Sequence, residues 1–121
     1  MQEQIKYRTK QIGLNVIKLV DDLPSKSSAQ VIAKQIVKSS TSIGANYRAA
    51  CRAKSTPDFF NKLKIVEEET DETIYWLEML EESSLISSDR ISELKTETNE
   101  ILSIVVSSIN TIKSKIPNRK S

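Results

Sequence analysis

The stretch from Ser55 to Glu82, STPDFFNKLKIVEEETDETIYWLEMLEE, decides the fold of this 121-residue chain. Core-type residues recur along it at alternating spacings of four and three, at Phe59, Leu63, Val66, Thr70, Thr73, Leu77 and Leu80. This pattern is a heptad seam of about three repeats, by which an α-helix packs in a bundle. Ser55 and Asp58 fit a capping box, and Pro57 lies in the first turn, where its missing N–H costs nothing. The stretch therefore predicts a long amphipathic helix.

The rest of the chain is also helical in pattern, with no sustained alternation typical of β-strands. Pro24 and Pro117 follow two of the segments, and a serine in the Ser83–Ser88 loop is expected to cap the last helix. We predict an all-α fold, one up-down-up-down antiparallel four-helix-bundle domain over residues 1–121, with helices at about 2–22, 28–53, 56–82 and 89–116 and a basic tail at 117–121. A two-helix hairpin that assembles across chains is the structural alternative.

The composition argues against most classes of enzyme. Histidine is absent, which removes the commonest general base and metal ligand. Cys51 is the single cysteine, and the only glycines, Gly13 and Gly44, provide no phosphate-binding loop. The acidic run Glu67–Glu72 lacks the histidines of di-iron bundles. We expect a non-enzymatic protein with no catalytic residue, no metal and no cofactor, and carboxylate catalysis within the acidic run is the remaining alternative.

The hydropathy pattern predicts a location away from membranes. No stretch approaches the roughly 20 apolar residues that a membrane-spanning helix needs. The first residues of the chain lack the apolar core of a signal peptide. We therefore expect no membrane partner and a cytoplasmic location.

Charge is distributed unevenly along the chain, although the net charge is only +2. Residues 1–54 contain ten Lys/Arg and three Asp/Glu, residues 55–112 contain four and thirteen, and residues 113–121 contain four and none. Such segregation predicts a polarised surface, which either recruits a charged partner or holds a bundle or an oligomer together.

The basic residues of the second helix share one face. At about 100° per residue they fall in a stripe about 80° wide, opposite the apolar face of the helix, and they are Lys34, Lys38, Arg48 and Arg52. The first helix adds the i,i+4 pair Lys6 and Lys10. A stripe of Lys and Arg suits a phosphate backbone, since such contacts need positive charge but no base-specific geometry. We call these six residues the basic set and predict that they bind nucleic acid; a solvated helix face is the alternative.

Other residues near the basic set refine this prediction. The tail supplies auxiliary candidates in Lys113, Lys115, Arg119 and Lys120. No aromatic residue is interleaved with the stripe on the second helix, so base stacking is not predicted.

A second group of apolar residues lies off the expected core faces. On the third helix these residues are about 90° to 170° from the seam on an ideal helical wheel, and they are Ile65, Tyr75, Trp76 and Met79. The first and fourth helices carry similar residues, namely Leu14, Ile17, Ile104 and Val106. Recurrence on three helices indicates a partner surface, whereas a wide monomeric core is the alternative. We predict that the four residues of the third helix form an oligomer interface.

Three blocks in the middle of the chain resemble a known family. In order, they are Gln35 with Ser42-Ile43-Gly44-Ala45-Asn46, Ser55-x-x-Asp58-Phe59-x-x-Lys62-Leu63, and Glu72-Thr73-x-Tyr75-Trp76-Leu77-x-x-Leu80. In this order and spacing they resemble the bacterial four helix bundle protein family. That family includes proteins encoded in intervening sequences of 23S rRNA genes and is related to the accessory variability proteins of diversity-generating retroelements. The resemblance covers nearly the whole chain.

The resemblance implies an assembly and a class of ligand. It implies a four-helix bundle that forms a homopentamer around a central channel, with no established enzymatic activity. For the retroelement relatives it implies nucleic-acid binding through a basic surface and a reverse-transcriptase partner. Many members continue Ala-Asn with a segment containing Glu-Ala or Glu-Gly, where this chain has Tyr47-Arg48-Ala49-Ala50 and is more basic.

These observations lead to one functional prediction and one alternative. We predict a cytoplasmic homo-oligomer that binds the RNA or DNA backbone through the basic set. The alternative is a protein–protein scaffold or accessory subunit, for example to a reverse transcriptase, with no nucleic-acid binding of its own.

Overall fold

A computed structural model describes residues 1–116 and confirms the four-helix bundle. The helices are α1 (Gln2–Val20), α2 (Ser27–Cys51), α3 (Thr56–Glu82) and α4 (Ser88–Lys113). Each helix packs against the next one along the chain, and a short loop joins the two. The packing of α1 against α4 is looser, and α1 and α3 lie at opposite corners of the bundle. None of the described helices combines the length and apolarity needed to cross a bilayer.

Three helices end slightly before their predicted last residue, by two residues in α1 and α2 and by three in α4. The cause is that the chain leaves each helix through tighter hydrogen bonds of the i→i+3 type. After α1, the Leu23 amide donates to the Val20 carbonyl at 3.1 Å, and after α2 the Ala53 amide donates to the Ala50 carbonyl at 3.0 Å. The predicted basic tail at 117–121 lies outside the described residues.

The N-terminus of α3 begins as predicted, with one difference in the capping contacts. Ser55 Oγ accepts a hydrogen bond from the Asp58 amide at 3.2 Å. The Asp58 carboxylate accepts from the Lys54 amide at 3.2 Å, one residue before the cap. The Lys62 ammonium and that amide hold the pKa of Asp58 below its usual value.

The N-terminus of α4 differs from that of α3. Ser87 is the N-cap residue of α4, but its side chain makes no capping hydrogen bond.

The two serine caps give a matched pair of substitutions. Ser55→Ala is expected to lower the free energy of unfolding by about 1 kcal/mol, because it leaves a helix-end N–H without its acceptor. Ser87→Ala is the control and should change stability by much less, since its hydroxyl does not contact the helix end. Urea unfolding followed by circular dichroism measures both values. Equal losses at the two sites would contradict the assignment of the cap.

The predicted seam of α3 is buried, except at its first member. Every seam residue from Leu63 to Leu80 is buried, but Phe59 is only half-buried and Phe60 takes its place in the core. Phe60 precedes Ile74 by 14 residues and Glu81 by 21, so the three lie near one line of α3, and Glu81 accepts a hydrogen bond from Lys95 of α4. Because α3 packs against both α2 and α4, its buried face is wider than a single heptad seam. The sequence prediction was wrong in naming Phe59 rather than Phe60.

Hydroxyl groups inside the core are paired, which explains how threonines occupy seam positions. Thr70 Oγ1 donates to the carbonyl of the preceding turn at 2.6 Å. Thr73 Oγ1 hydrogen-bonds Ser39 Oγ on α2 at 2.9 Å. Thr9 and Thr98 bond within their own helices. In residues 1–116 no buried side-chain nitrogen or oxygen lacks a partner, so the polar core positions do not carry the cost of an unmade hydrogen bond.

Ion pairs connect the α1 side of the bundle to α4, where the two helices pack loosely. Arg8 makes a forked contact to Glu97, with both donor–acceptor distances at 2.8 Å, and also bonds Glu100. The guanidinium holds the pKa of Glu97 below its usual value. Arg90 pairs with Asp22 at 2.8 Å. Arg8 thus pairs with two of the four carboxylates of α4.

Candidate functional site

The basic stripe lies on the outer side of α2. Lys34, Lys38, Arg48 and Arg52 are all exposed, and the opposite side of the helix holds Ile36 and Ile43, which are buried in the core. Within the part of the chain that the structure describes, none of these cations forms an ion pair. The stripe is therefore a positive surface without direct ion pairs, although Lys38 is near enough to Glu69 to act on its pKa, and positive charge is what contacts to phosphate require.

The structure divides the basic set into two groups. Lys6, Lys10 and Arg48 line a groove of about 440 Å³ between α1 and α2. We call it the α1/α2 groove. Lys34, Lys38 and Arg52 lie outside it, along α2. The six residues of the basic set thus lie in two places, the α1/α2 groove and the adjoining stripe on α2.

Two glycines explain why the helices come close beneath this groove. A Cβ added to Gly44 would lie 3.3 Å from the Lys10 amide nitrogen, and one added to Gly13 would lie 3.4 Å from the Thr41 Cα. A Cβ at Gly44 would press on the backbone of α1, whereas one at Gly13 would make ordinary van der Waals contact with Thr41 and Ser40. Because α1 and α2 approach closely at these glycines, the longer side chains on either side form the walls of the groove. Sequence reasoning missed this role, although the chain has only these two glycines and both are inside helices.

The groove combines positive charge with an apolar surface. Lys6 pairs with Glu3 at 2.8 Å, and this contact lowers the pKa of Glu3. Lys10 and Arg48 have no such partner in residues 1–116. The apolar side chains that line the groove remain partly open to solvent, with exposures of 65% at Tyr7, 42% at Leu14 and 39% at Ile17. Tyr7 brings an aromatic ring next to the basic set from α1, which analysis of the second helix alone could not reveal.

The predicted interface residues of α3 lie on a second surface. Ile65, Tyr75 and Met79 are exposed by 41%, 52% and 37%. Trp76 is half-buried against the core, donates from Nε1 to Glu72 at 3.2 Å, and meets the Tyr75 ring edge-on at 5.0 Å. Three of the four residues are therefore exposed, and the half-buried indole of Trp76 packs against the ring of Tyr75. Of the other off-seam residues, Leu14 and Ile17 are exposed, and Ile104 and Val106 are partly buried.

Acidic side chains accompany this apolar surface. Glu68, Asp71 and Glu72 are exposed and have no ion pair among the described residues. We call the set Ile65, Glu68, Asp71, Glu72, Tyr75 and Met79 the α3 outer face. Burial raises the pKa of the neighbouring Glu69, and repulsion from Glu72 raises it further, while Lys38 opposes the shift. The acidic charge of α3 is thus only partly balanced within the chain.

The remaining polar groups do not assemble into a recognisable centre for metal chemistry. Among residues 1–116, no three carboxylate or thiol side chains converge as a metal site would require. Tyr47 is buried, and burial, reinforced by the nearby Cys51, raises its pKa to about 12. Its phenol is therefore neutral at physiological pH and adds no charge to the basic stripe.

Comparison with known proteins agrees with this architecture. The family model described as "23S rRNA-intervening sequence protein" matches residues 2–107. A crystal structure of a protein of unknown function from the S23 ribosomal protein family of Bacteroides thetaiotaomicron is 35% identical in sequence, with a TM-score of 0.80. The alignment covers 87% of this chain and 97% of that one. No functionally curated protein matches the chain.

Proposed function

The chain belongs to the 23S rRNA-intervening sequence protein family, and from this premise we propose that it is a non-enzymatic, cytoplasmic homo-oligomer that binds RNA or DNA through phosphate contacts. The contacts come from the stripe on α2, chiefly Lys34, Lys38 and Arg52, with Arg48 at the edge of the groove. The family resemblance implies five subunits. The oligomer repeats the stripe by symmetry, which multiplies the number of phosphates that one particle can meet.

The observation that carries the proposal is that four cations share one exposed face of α2 and none of them forms an ion pair within residues 1–116. The ion pairs of residues 1–116 use Arg8, Lys62, Lys95 and others, but no cation of the α2 stripe. A helix face that served only for solubility would gain from interspersed charges of both signs. The family is named for intervening sequences of 23S rRNA, a name that states no ligand, and the charge of the stripe supports the proposal.

The test is a salt titration with matched variants. We expect Lys34→Ala/Lys38→Ala/Arg52→Ala to bind random-sequence RNA and DNA more weakly and with a shallower salt dependence. Each lost phosphate contact removes about 0.9 from the log–log slope on B-DNA and about 0.7 on single strands. The triple variant should therefore lose about 2 to 3 from the slope if each side chain meets one phosphate.

The control removes the same charge elsewhere. Lys18→Ala/Lys26→Ala/Lys64→Ala changes exposed lysines that lie off the stripe. It should keep most of the wild-type slope, since only nearby phosphates release counterions on binding. If both triple variants lose affinity equally, net charge rather than the stripe explains binding. If neither loses affinity, the stripe is not the binding surface.

A further inference from the structure

We propose that the α1/α2 groove of one copy receives the α3 outer face of a second copy, so that copies join head to tail. This inference rests on the homo-oligomer of the proposed function and assigns the two surfaces that build it. The occupant of the groove is therefore another copy of this chain rather than a small molecule or a different protein.

Charge complementarity is the first argument for this pairing. The groove carries Lys10 and Arg48 without an ion-pair partner in residues 1–116, and the α3 outer face carries Glu68, Asp71 and Glu72 in the same condition. Opposite potentials across an interface steer association and fix its register. Docking would also bring cations to Glu72 and Glu68, whose charges add to the effect of burial in raising the pKa of Glu69. The uneven charge of the two halves of the sequence follows from this pairing.

Apolar complementarity is the second argument. The groove presents Tyr7, Leu14 and Ile17, and the α3 outer face presents Ile65, Tyr75 and Met79, all of which remain partly exposed. A helix that lays apolar side chains into a groove between two others is a common mode of recognition. Aromatic and methionine side chains with a charged rim match the composition of protein interfaces.

The positions of the two surfaces determine the type of assembly. They are separate surfaces, because the groove lies between α1 and α2 and the α3 outer face belongs to a helix that does not pack against α1. One copy can therefore use both surfaces at once, which makes the contact heterologous and its product a closed ring or a filament. Of the α2 stripe, Arg48 lies in the groove, whereas Lys34, Lys38 and Arg52 are on neither surface and remain open to phosphate.

The test uses two charge-reversal variants. The groove variant is Lys10→Glu/Arg48→Glu, and the face variant is Glu68→Lys/Glu72→Lys. All four residues are exposed, so both variants should fold as the wild type does, which circular dichroism checks. By sedimentation velocity at micromolar concentration, we expect wild type to be oligomeric and each variant alone to have the mass of a single chain.

Mixing the variants provides the decisive result. The groove variant has two acidic surfaces and the face variant two basic ones, so an equimolar mixture should recover particles larger than one chain. A chain with all four substitutions should also assemble by itself. A monomeric wild type, variants that keep the wild-type mass, or a mixture that stays monomeric would each overturn the proposed pairing.

A nucleic-acid titration separates this inference from the proposed function. If the groove variant keeps the wild-type mass but loses affinity for single-stranded RNA, the groove binds nucleic acid and the pairing is wrong. If the variants behave as expected but wild type binds no RNA or DNA, the interface stands and phosphate binding fails. If wild type binds RNA as a monomer, phosphate binding stands and the pairing fails.

Discussion

Phe60→Ala is expected to lower the free energy of unfolding by about 3–5 kcal/mol, the range for truncating a buried aromatic side chain. Phe60 is only 5% exposed and belongs to the main core cluster. It lies in the second turn of α3, and its truncation leaves a cavity in the core. Chemical denaturation monitored by far-ultraviolet circular dichroism measures the loss.

The adjacent phenylalanine is the matched control. Phe59 is half-buried and only borders the core, so Phe59→Ala should cost clearly less than Phe60→Ala. A larger loss at Phe59 than at Phe60 would restore the simple heptad seam as the correct description of this end of α3. It would also show that the buried face of α3 is narrower than the structure indicates.

Leu77→Ala is expected to cost about 2–5 kcal/mol, through lost burial and the cavity that the side chain leaves. Leu77 has no solvent exposure and lies in the middle of the seam. Val31→Ala is the control, because Val31 is 60% exposed on α2 and its truncation should change stability by less than about 0.5 kcal/mol. Near-equal stability of the Leu77→Ala variant and wild type would mean that the opposite face of α3 is buried.

The fold could be predicted because helical periodicity is a local property of the chain. The 4-3 spacing from Leu63 to Leu80 places these core-type residues on one helix face, and the structure buries that face. The start of α3 could also be predicted from the sequence. The Ser55 side chain caps the helix, and Pro57 suits its first turn, so both residues act within the helix itself. In each case the deciding interaction is within one helix.

The misassigned and missed features depend on contacts between helices. Phe60 and Ile74 are buried because α3 has two neighbours, and one helical wheel cannot show how many neighbours a helix has. Gly13 and Gly44 set the approach of α1 to α2 only because the two helices pair in this register. Helix ends shifted because the last turns tightened, a choice that the apolar pattern does not encode.

The candidate surfaces were predictable as sets of residues but not as shapes. The angular positions of Lys34, Lys38 and Arg52 follow from the helix period, and so does their distance from the core. That Lys10 and Arg48 would share a groove with Tyr7 required knowing which face of α1 meets which face of α2. Charge segregation in the sequence indicated a polarised surface, but only the packing shows that the α1/α2 groove and the α3 outer face are separate surfaces.

The most direct test of phosphate binding is a titration of the full-length wild-type protein with fluorescent random-sequence RNA and DNA, single-stranded and duplex, over a series of salt concentrations. We expect binding at low salt that is similar for unrelated sequences, and a linear fall of the logarithm of the association constant against the logarithm of salt concentration. The slope should correspond to several phosphate contacts, each contributing about 0.7 to 0.9 to its magnitude. If the protein binds none of these nucleic acids at low salt, or binds with an affinity that salt does not change, the claim is contradicted.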